Sequence, residues 1–304
     1  NIPGQVQAGQ IAPGSITPQD INVQLDGLPL RDALAVRTQD AEGDFIARGG
    51  AIIYEDNVVA GVKVRLEAFR GYVNGYQVRV DGDYRFTLDH TNTTLTRSNE
   101  SKSFTTGTLT YSLSKSPAAA ITALDGDVTV TAESVTRGSG NFDNLAMTPV
   151  VSITSITQAP STTYVAGTDF QVSGDQVQWL VGGGATRPTT GTSYSVTYKY
   201  RRAFVIPTDV ALAADKKSIT FTGTVLPVNS SSFQVSYTYY VPRTDIIVSD
   251  RNGVLSVIEG VPADVAKAPL VPEGTLLLGR VELPAGTQLL NTYLNANGYT
   301  APGT

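Results

Sequence analysis

Two stretches of this sequence close on the same phrase. Val196-Thr-Tyr198-Lys-Tyr200 and Val235-Ser-Tyr237-Thr-Tyr239 lie 39 residues apart, and Asp169 precedes Asp209 by 40. Each phrase ends a parallel run of signals. The first copy runs from Tyr164 through Asp169, Phe170, a Gly174-Asp175 turn and Trp179, then Ser195 to Arg201. The second runs from Thr208 through Asp209, an Asp215-Lys216-Lys217 turn and Phe221, then Gln234 to Tyr240. Strand, tight turn, strand, Gly/Pro/Ser loop and closing strand make a meander. One meander cannot bury its own apolar face, so two copies are expected to pack as a sandwich or as tandem small domains.

The same period of two governs the rest of the chain. Val62 to Phe69 alternates apolar with polar, and Gly71 to Val78 gives a further strand pair. Strands are expected at Ala51–Tyr54, around Phe86 and Leu88, at Thr108–Leu113 and at Val128–Ala132, with an exposed loop or a long polar hairpin at 91–107 and a loop at 137–146. Asn252-Gly253 between Asp245 and Ile258 predicts a hairpin with a type I′ turn. Pro262, Pro269 and Pro272 mark an extended connector, and Leu276–Leu283 reads as a last strand. Residues 1–27 are rich in Gly, Pro and Gln without periodicity, as an extended arm would be. A short helix is expected from Pro29 to about Gln39. The resulting reading is all-β: several small β-sandwich or meander domains in series behind an N-terminal arm. The segments are 1–41 (arm and helix), 42–145 (β domain), 146–203 and 204–242 (the two repeats) and 243–304 (hairpin and connector).

Composition narrows the chemistry. The chain of 304 residues has no Cys, a single His and a net charge of −5. Thiolate chemistry, disulfides and zinc–thiolate sites are thereby excluded. The charge gives no global attraction for nucleic acid, and no apolar run reaches the roughly 18 residues of a membrane span. No signal peptide is visible, and the start at Asn1 points to processing or to a piece of something longer. Asp81-Gly82-Asp83 with Asp89 could hold calcium, but the EF-hand spacing is absent and a polar turn accounts for it. A turn also accounts for Asp250-Arg-Asn252-Gly253. His90 has no hydrolase motif around it and reads as a loop residue. Gly182-Gly183-Gly184 lacks the lysine of a phosphate loop. Arg201-Arg202 and the scattered lysines make no basic patch. The tyrosines of the V-x-Y-x-Y phrases could form a stacking platform, but packing of one strand face is the commoner use, and Trp179 reads as a core or interface anchor. No catalytic, cofactor or metal residue is assigned, and no cofactor is expected.

The stretch from about Glu42 to Val80, with its Gly71-Tyr72-Val73-Asn74-Gly75 and Val78 phrase, resembles bacteriophage tail and baseplate proteins. So do Tyr164–Phe170 with Trp179, Gly191–Tyr194 and Val196–Tyr198, and Pro242–Ile247 with Pro269, Pro272 and the Leu277, Gly279, Val281 strand. The resemblance covers roughly residues 42–283 and carries no catalytic residues to transfer. It implies a non-enzymatic structural part of a phage tail, either a baseplate-proximal fibre or a fibre-attachment protein. Such a protein mediates virion assembly and host attachment, is assembled in the host cytoplasm, and works as a homotrimer bound to other tail or baseplate proteins. Thiol-free β domains in series suit a part that must stay folded in harsh media. Two other readings compete: a receptor- or polysaccharide-binding adhesin, and a tail depolymerase, although the periodicity of a long parallel β-helix is missing.

Overall fold

The computed structural model describes residues 34–35, 37–39, 42–58, 61–89 and 93–285. Strands make up 56% of it and helix 2%, so the chain is all-β, built from several small antiparallel sheets in series as the alternation predicts. The chain divides into two compact units, residues 1–93 with 241–304, and residues 94–240. The expected arm at 1–27 lies outside the described residues. Of the expected helix, residues 34–35 and 37–39 are described and are helical.

The first unit opens with β1 (Phe45–Gly49), β2 (Ile52–Val58), β3 (Gly61–Leu66), β4 (Phe69–Val73), β5 (Tyr76–Val80) and β6 (Tyr84–Leu88). These form two three-stranded sheets, β1-β4-β5 and β2-β3-β6. Asn74-Gly75 joins β4 to β5 with φ of 50° and 77°, the two left-handed positions that a two-residue type I′ turn demands. Gly75 admits no side chain in any case, because a Cβ there would stand 1.7 Å from the Ala35 carbonyl oxygen.

The second unit carries β7 (Thr94–Ser103), β8 (Thr110–Ser112), β9 (Ala118–Thr136), β10 (Phe142–Asn144), β11 (Val150–Gln158) and β12 (Thr162–Tyr164). It continues with β13 (Phe170–Ser173), β14 (Gln176–Trp179), β15 (Ser193–Ala203), β16 (Val210–Leu212), β17 (Ser218–Phe221) and β18 (Ser232–Tyr240). The V-x-Y-x-Y phrases are β15 and β18. Their alternation is seen directly, with every second residue of Phe233–Tyr239 buried. Tyr198, Tyr237 and Tyr239 are buried and Tyr200 is half-buried against the core, so these tyrosines pack inward rather than form an exposed platform.

Both phrases lie in one six-stranded sheet, β12-β11-β15-β9-β18-β7, each as the middle of three neighbours: β11-β15-β9 in one copy and β9-β18-β7 in the other. A second small sheet accompanies each, β10-β14-β13 and β8-β17-β16. The repeat therefore extends upstream of its legible part. The inner module is continuous, residues 127–203. The outer module is assembled from 94–126 and 204–240, and the inner one is inserted between its halves. β9 belongs to both: its first part pairs with β18, its second with β15, and both partners meet it at Asp125 and Gly126.

The chain then returns to the first unit with β19 (Arg243–Asp250), β20 (Leu255–Ile258) and β21 (Thr275–Leu283), ordered β20-β19-β21. Seven of the eight residues of β19 are buried. Ile247, Leu276, Leu278, Val281 and Leu283 join Val62, Val64, Leu66, Phe69 and Val78 in one core.

Several expectations need correction. The serial borders near 145 and 203 do not separate domains, because β9 pairs with β15 across the first and with β18 across both. The border near 242 is a return rather than the start of a terminal piece. The stretch 91–107, open between an exposed loop and a long polar hairpin, is no simple loop: it holds the ten-residue strand β7. Six of its first seven positions alternate nowhere and are exposed, and its pairing with β18 makes it a strand. The expected loop at 137–146 contains β10. The hairpin at Asn252-Gly253 is present, but only Gly253 has positive φ, and Gly253 N–H donates to Asp250 O while Asp250 N–H donates to Val254 O. That is a three-residue loop closed by a left-handed glycine, not a type I′ turn.

Candidate functional site

The acidic clusters are spent on local structure. Asp83 accepts from Arg65 at 2.6 Å and from Ala68 N–H at 3.2 Å, and Asp81 pairs with Arg79. Asp250 accepts from the N–H groups of Asn252 and Val254 inside its own turn. No group of three or more metal-ligating side chains occurs among the described residues. His90 lies outside them. The three glycines 182–184 all have positive φ in the loop after β14. Arg201 is held by Asp125 and Asp127, and Arg202 by Asp209 at 2.8 Å.

The two modules repeat their polar framework bond for bond. In the outer one, Tyr237 donates to Glu100 Oε2 at 2.6 Å and accepts from Lys115 N–H at 2.9 Å, while Ser114 N–H donates to Glu100 Oε1 at 3.0 Å. In the inner one, Tyr198 donates to Glu133 Oε2 at 2.5 Å and accepts from Met147 N–H at 2.9 Å, while Ala146 N–H donates to Glu133 Oε1 at 2.9 Å. The residue before each glutamate, Asn99 or Ala132, is left-handed, and its N–H donates to Ser236 Oγ or Thr197 Oγ1. The repeated aspartates also match: Asp169 accepts from Val165 N–H and Asp209 from Val205 N–H, each four residues upstream. Backbone donors hold the Asp169 carboxyl below its ordinary range.

Burial raises the Glu100 pKa, but hydrogen bonds from Lys102, Ser114 and Tyr237 outweigh it and bring the group down to about 2. Burial and then the bond to Glu133 push Tyr198 up to about 12. Because the folded pKa of Glu100 lies below the unfolded value of 4.5, its contribution is complete above pH 4.5 and is lost as pH falls toward 2. Glu100→Gln should therefore cost roughly 2–3 kcal/mol at pH 7 and progressively less between pH 4.5 and 2. Urea unfolding of both proteins across that range checks it, and a constant difference would refute it.

The modules diverge at four matched core positions. The outer one packs Phe104, Tyr111, Phe221 and Phe233 with centroids 5.0–6.0 Å apart, edge to face except for the tilted Phe104–Tyr111 pair. By strand register the inner counterparts are Arg137, Asp143, Trp179 and Tyr194. Arg137 and Asp143 are buried together, 3.5 Å apart. Trp179 Nε1 and Tyr194 OH both donate to Asp143 Oδ2 at 2.7 Å, and the Arg137 guanidinium lies 5.7 Å from the Trp179 ring centroid. Trp179 is a core anchor, as its place in the repeat predicts.

A solvent-open groove of about 410 Å³ lies at the β11–β12 turn, against β15 and β9. Strand register lines up four hydroxyl residues across its floor, Thr163–Thr157–Ser195–Ser134, on the sheet face opposite the core. No charged side chain lines it. The sequence signalled none of this, because the four hydroxyls come from four separate strands.

Fold and framework together define a β protein of nested two-sheet modules. Residues 3–295 match the family described as Domain of unknown function (DUF4815), and the chain belongs to that family. No curated protein and no solved structure matches it.

Proposed function

We propose that this chain is a structural component of a bacteriophage tail, a baseplate-proximal fibre or fibre-attachment protein that serves virion assembly and host attachment as a homotrimer. The observation that supports this reading most is β9. Its 19 residues run without a loop through both modules of the second unit, a strand of roughly 60 Å. No flexible linker separates the modules, so a load on one passes to the other through laterally hydrogen-bonded strands. A spacer between a particle and its host needs that property, and a catalyst does not. The resemblance over residues 42–283 supplies the tail context.

The solution mass of the 304-residue chain, measured by light scattering after size exclusion, tests the assembly. A trimer is expected. A monomer at micromolar concentration would remove the homotrimer and favour a single-chain adhesin. Mass spectrometry of purified phage particles tests the location, and absence of the chain from them would overturn the tail reading. The adhesin reading shares one observation with the main one, the uncharged groove at the β11–β12 turn.

A further inference from the structure

The groove has a counterpart in the outer module, fixed by strand register. Thr157 corresponds to Asp125, Ser195 to Gln234, Ser134 to Ser101 and Ser193 to Ser232, since each set meets its middle strand at the same step. Counting on from β11 and β9, Ala159 of the β11–β12 turn corresponds to Asp127. In the outer module this surface is a filled seat. Arg201, at the root of the inserted module, reaches the carboxylates of Asp125 and Asp127 and the Ser232 carbonyl oxygen. The β11–β12 turn of the inner module is thus the positional equivalent of the insertion point. There the chain turns back after Gln158 instead of entering another module.

In the inner module the seat is open and its chemistry is changed. The two carboxylates are replaced by Thr157 and Ala159, both exposed. The hydroxyls of Thr157, Thr163, Ser195 and Ser134 make no hydrogen bond to the protein among the described residues. Gln158 is already engaged, donating to Thr192 Oγ1 at 2.9 Å and accepting from Tyr164 OH at 2.7 Å, so it stiffens the groove wall. Neighbouring strands set the hydroxyls roughly 4.8 Å apart. Each is both donor and acceptor. A ligand that matches such a row without charge carries hydroxyls of its own at similar spacing.

We infer that the groove at the β11–β12 turn is a binding site for a neutral saccharide, seated on the Thr163–Thr157–Ser195–Ser134 row. The inference deepens the host-attachment part of the proposed function and rests on that reading for its biological setting.

Titration calorimetry of the full chain with neutral hexasaccharides (isomaltohexaose, mannohexaose and chitohexaose) tests it, with hexagalacturonate as the anionic control. At least one neutral probe is expected to bind, and the anionic one is not. The double variant Thr157→Asp/Ala159→Asp restores the acidic character of the outer seat. It should lose at least tenfold in affinity with an unchanged melting temperature. Ser195→Ala, which removes one hydroxyl and adds no charge, should weaken binding severalfold. Failure of every neutral probe, equal binding of the anionic probe, or unaltered affinity in both variants would overturn the inference. A change of oligomeric mass in the double variant would overturn it too, since the occupant would then be a second copy of the chain. None of these outcomes alters the trimer mass or particle location expected of the wild type, so the two readings fail separately.

Discussion

Asp143→Ala should destabilise the inner module by about 3–5 kcal/mol. The substitution strands Arg137 in the core without its counter-charge, and a lone buried charge is among the costliest defects a fold can carry. It also removes the acceptor shared by Trp179 Nε1 and Tyr194 OH, leaving two buried donors unpaired. The companion experiment replaces both charges with what the outer module uses at the same places: Arg137→Phe with Asp143→Tyr. Phe104 and Tyr111 show that an aromatic pair fits this framework. A buried ion pair exchanged for apolar groups of suitable shape is often neutral or stabilising. The double variant is therefore expected to recover most of the loss. Chemical unfolding followed by Trp179 emission gives both numbers directly. A mild Asp143→Ala, costing under about 1 kcal/mol, would show that water reaches the pair. A double variant no better than the single would show that the two cores are not interchangeable.

Removal of the inner module should leave the outer one folded. Asp127 and Arg201 face each other as a strand pair where the insertion begins and ends. Replacing residues 128–200 with Asn-Gly turns that pair into the base of a two-residue hairpin. The outer core survives the cut: Phe104, Phe204, Phe221, Phe233 and Tyr237 all lie outside it. So do the Glu100–Tyr237 bond and the grip of Arg201 on Asp125. Amide hydrogen exchange is expected to show protection in β18 and β7 close to that of the full chain. Loss of protection throughout 94–127 and 201–240 would mean that the outer module depends on the inner for its stability.

Much of this fold was legible. The V-x-Y-x-Y phrases are read correctly because a strand with one buried face writes its period into the sequence, and Asp169 and Asp209 mark the same turn-holding carboxylate in both copies. The first halves of the modules were missed, although Asn99-Glu100-Ser101 and Ala132-Glu133-Ser134 repeat at a distance of 33 residues. Two short polar matches carry little signal beside a tyrosine ladder. β7 stays open between loop and polar hairpin for a related reason: its mostly exposed side chains obey no alternation, and its strand character comes from its neighbour. Nesting is hidden in principle, since periodicity reports which face is buried and not which strand lies alongside. The Arg137–Asp143 pair looked like loop polarity for the same reason, as burial of a charge depends on partners such as Trp179 far along the chain.

Insertion within insertion also fixes a calendar for synthesis. Residues 127–203 are contiguous, so the inner module is complete as soon as Ala203 leaves the ribosome. The outer module must wait for Tyr240, with β7 and the first part of β9 already made but lacking β18 between them. The first unit waits longer still, until β21 supplies Leu276–Leu283 to a half-built core whose first strands were translated some 200 residues earlier. Maturation therefore runs from the inside outward. The longest-lived sticky surface during translation is the face of β3 and β4 that β19 and β21 eventually cover, and that is where a chaperone would have most to do.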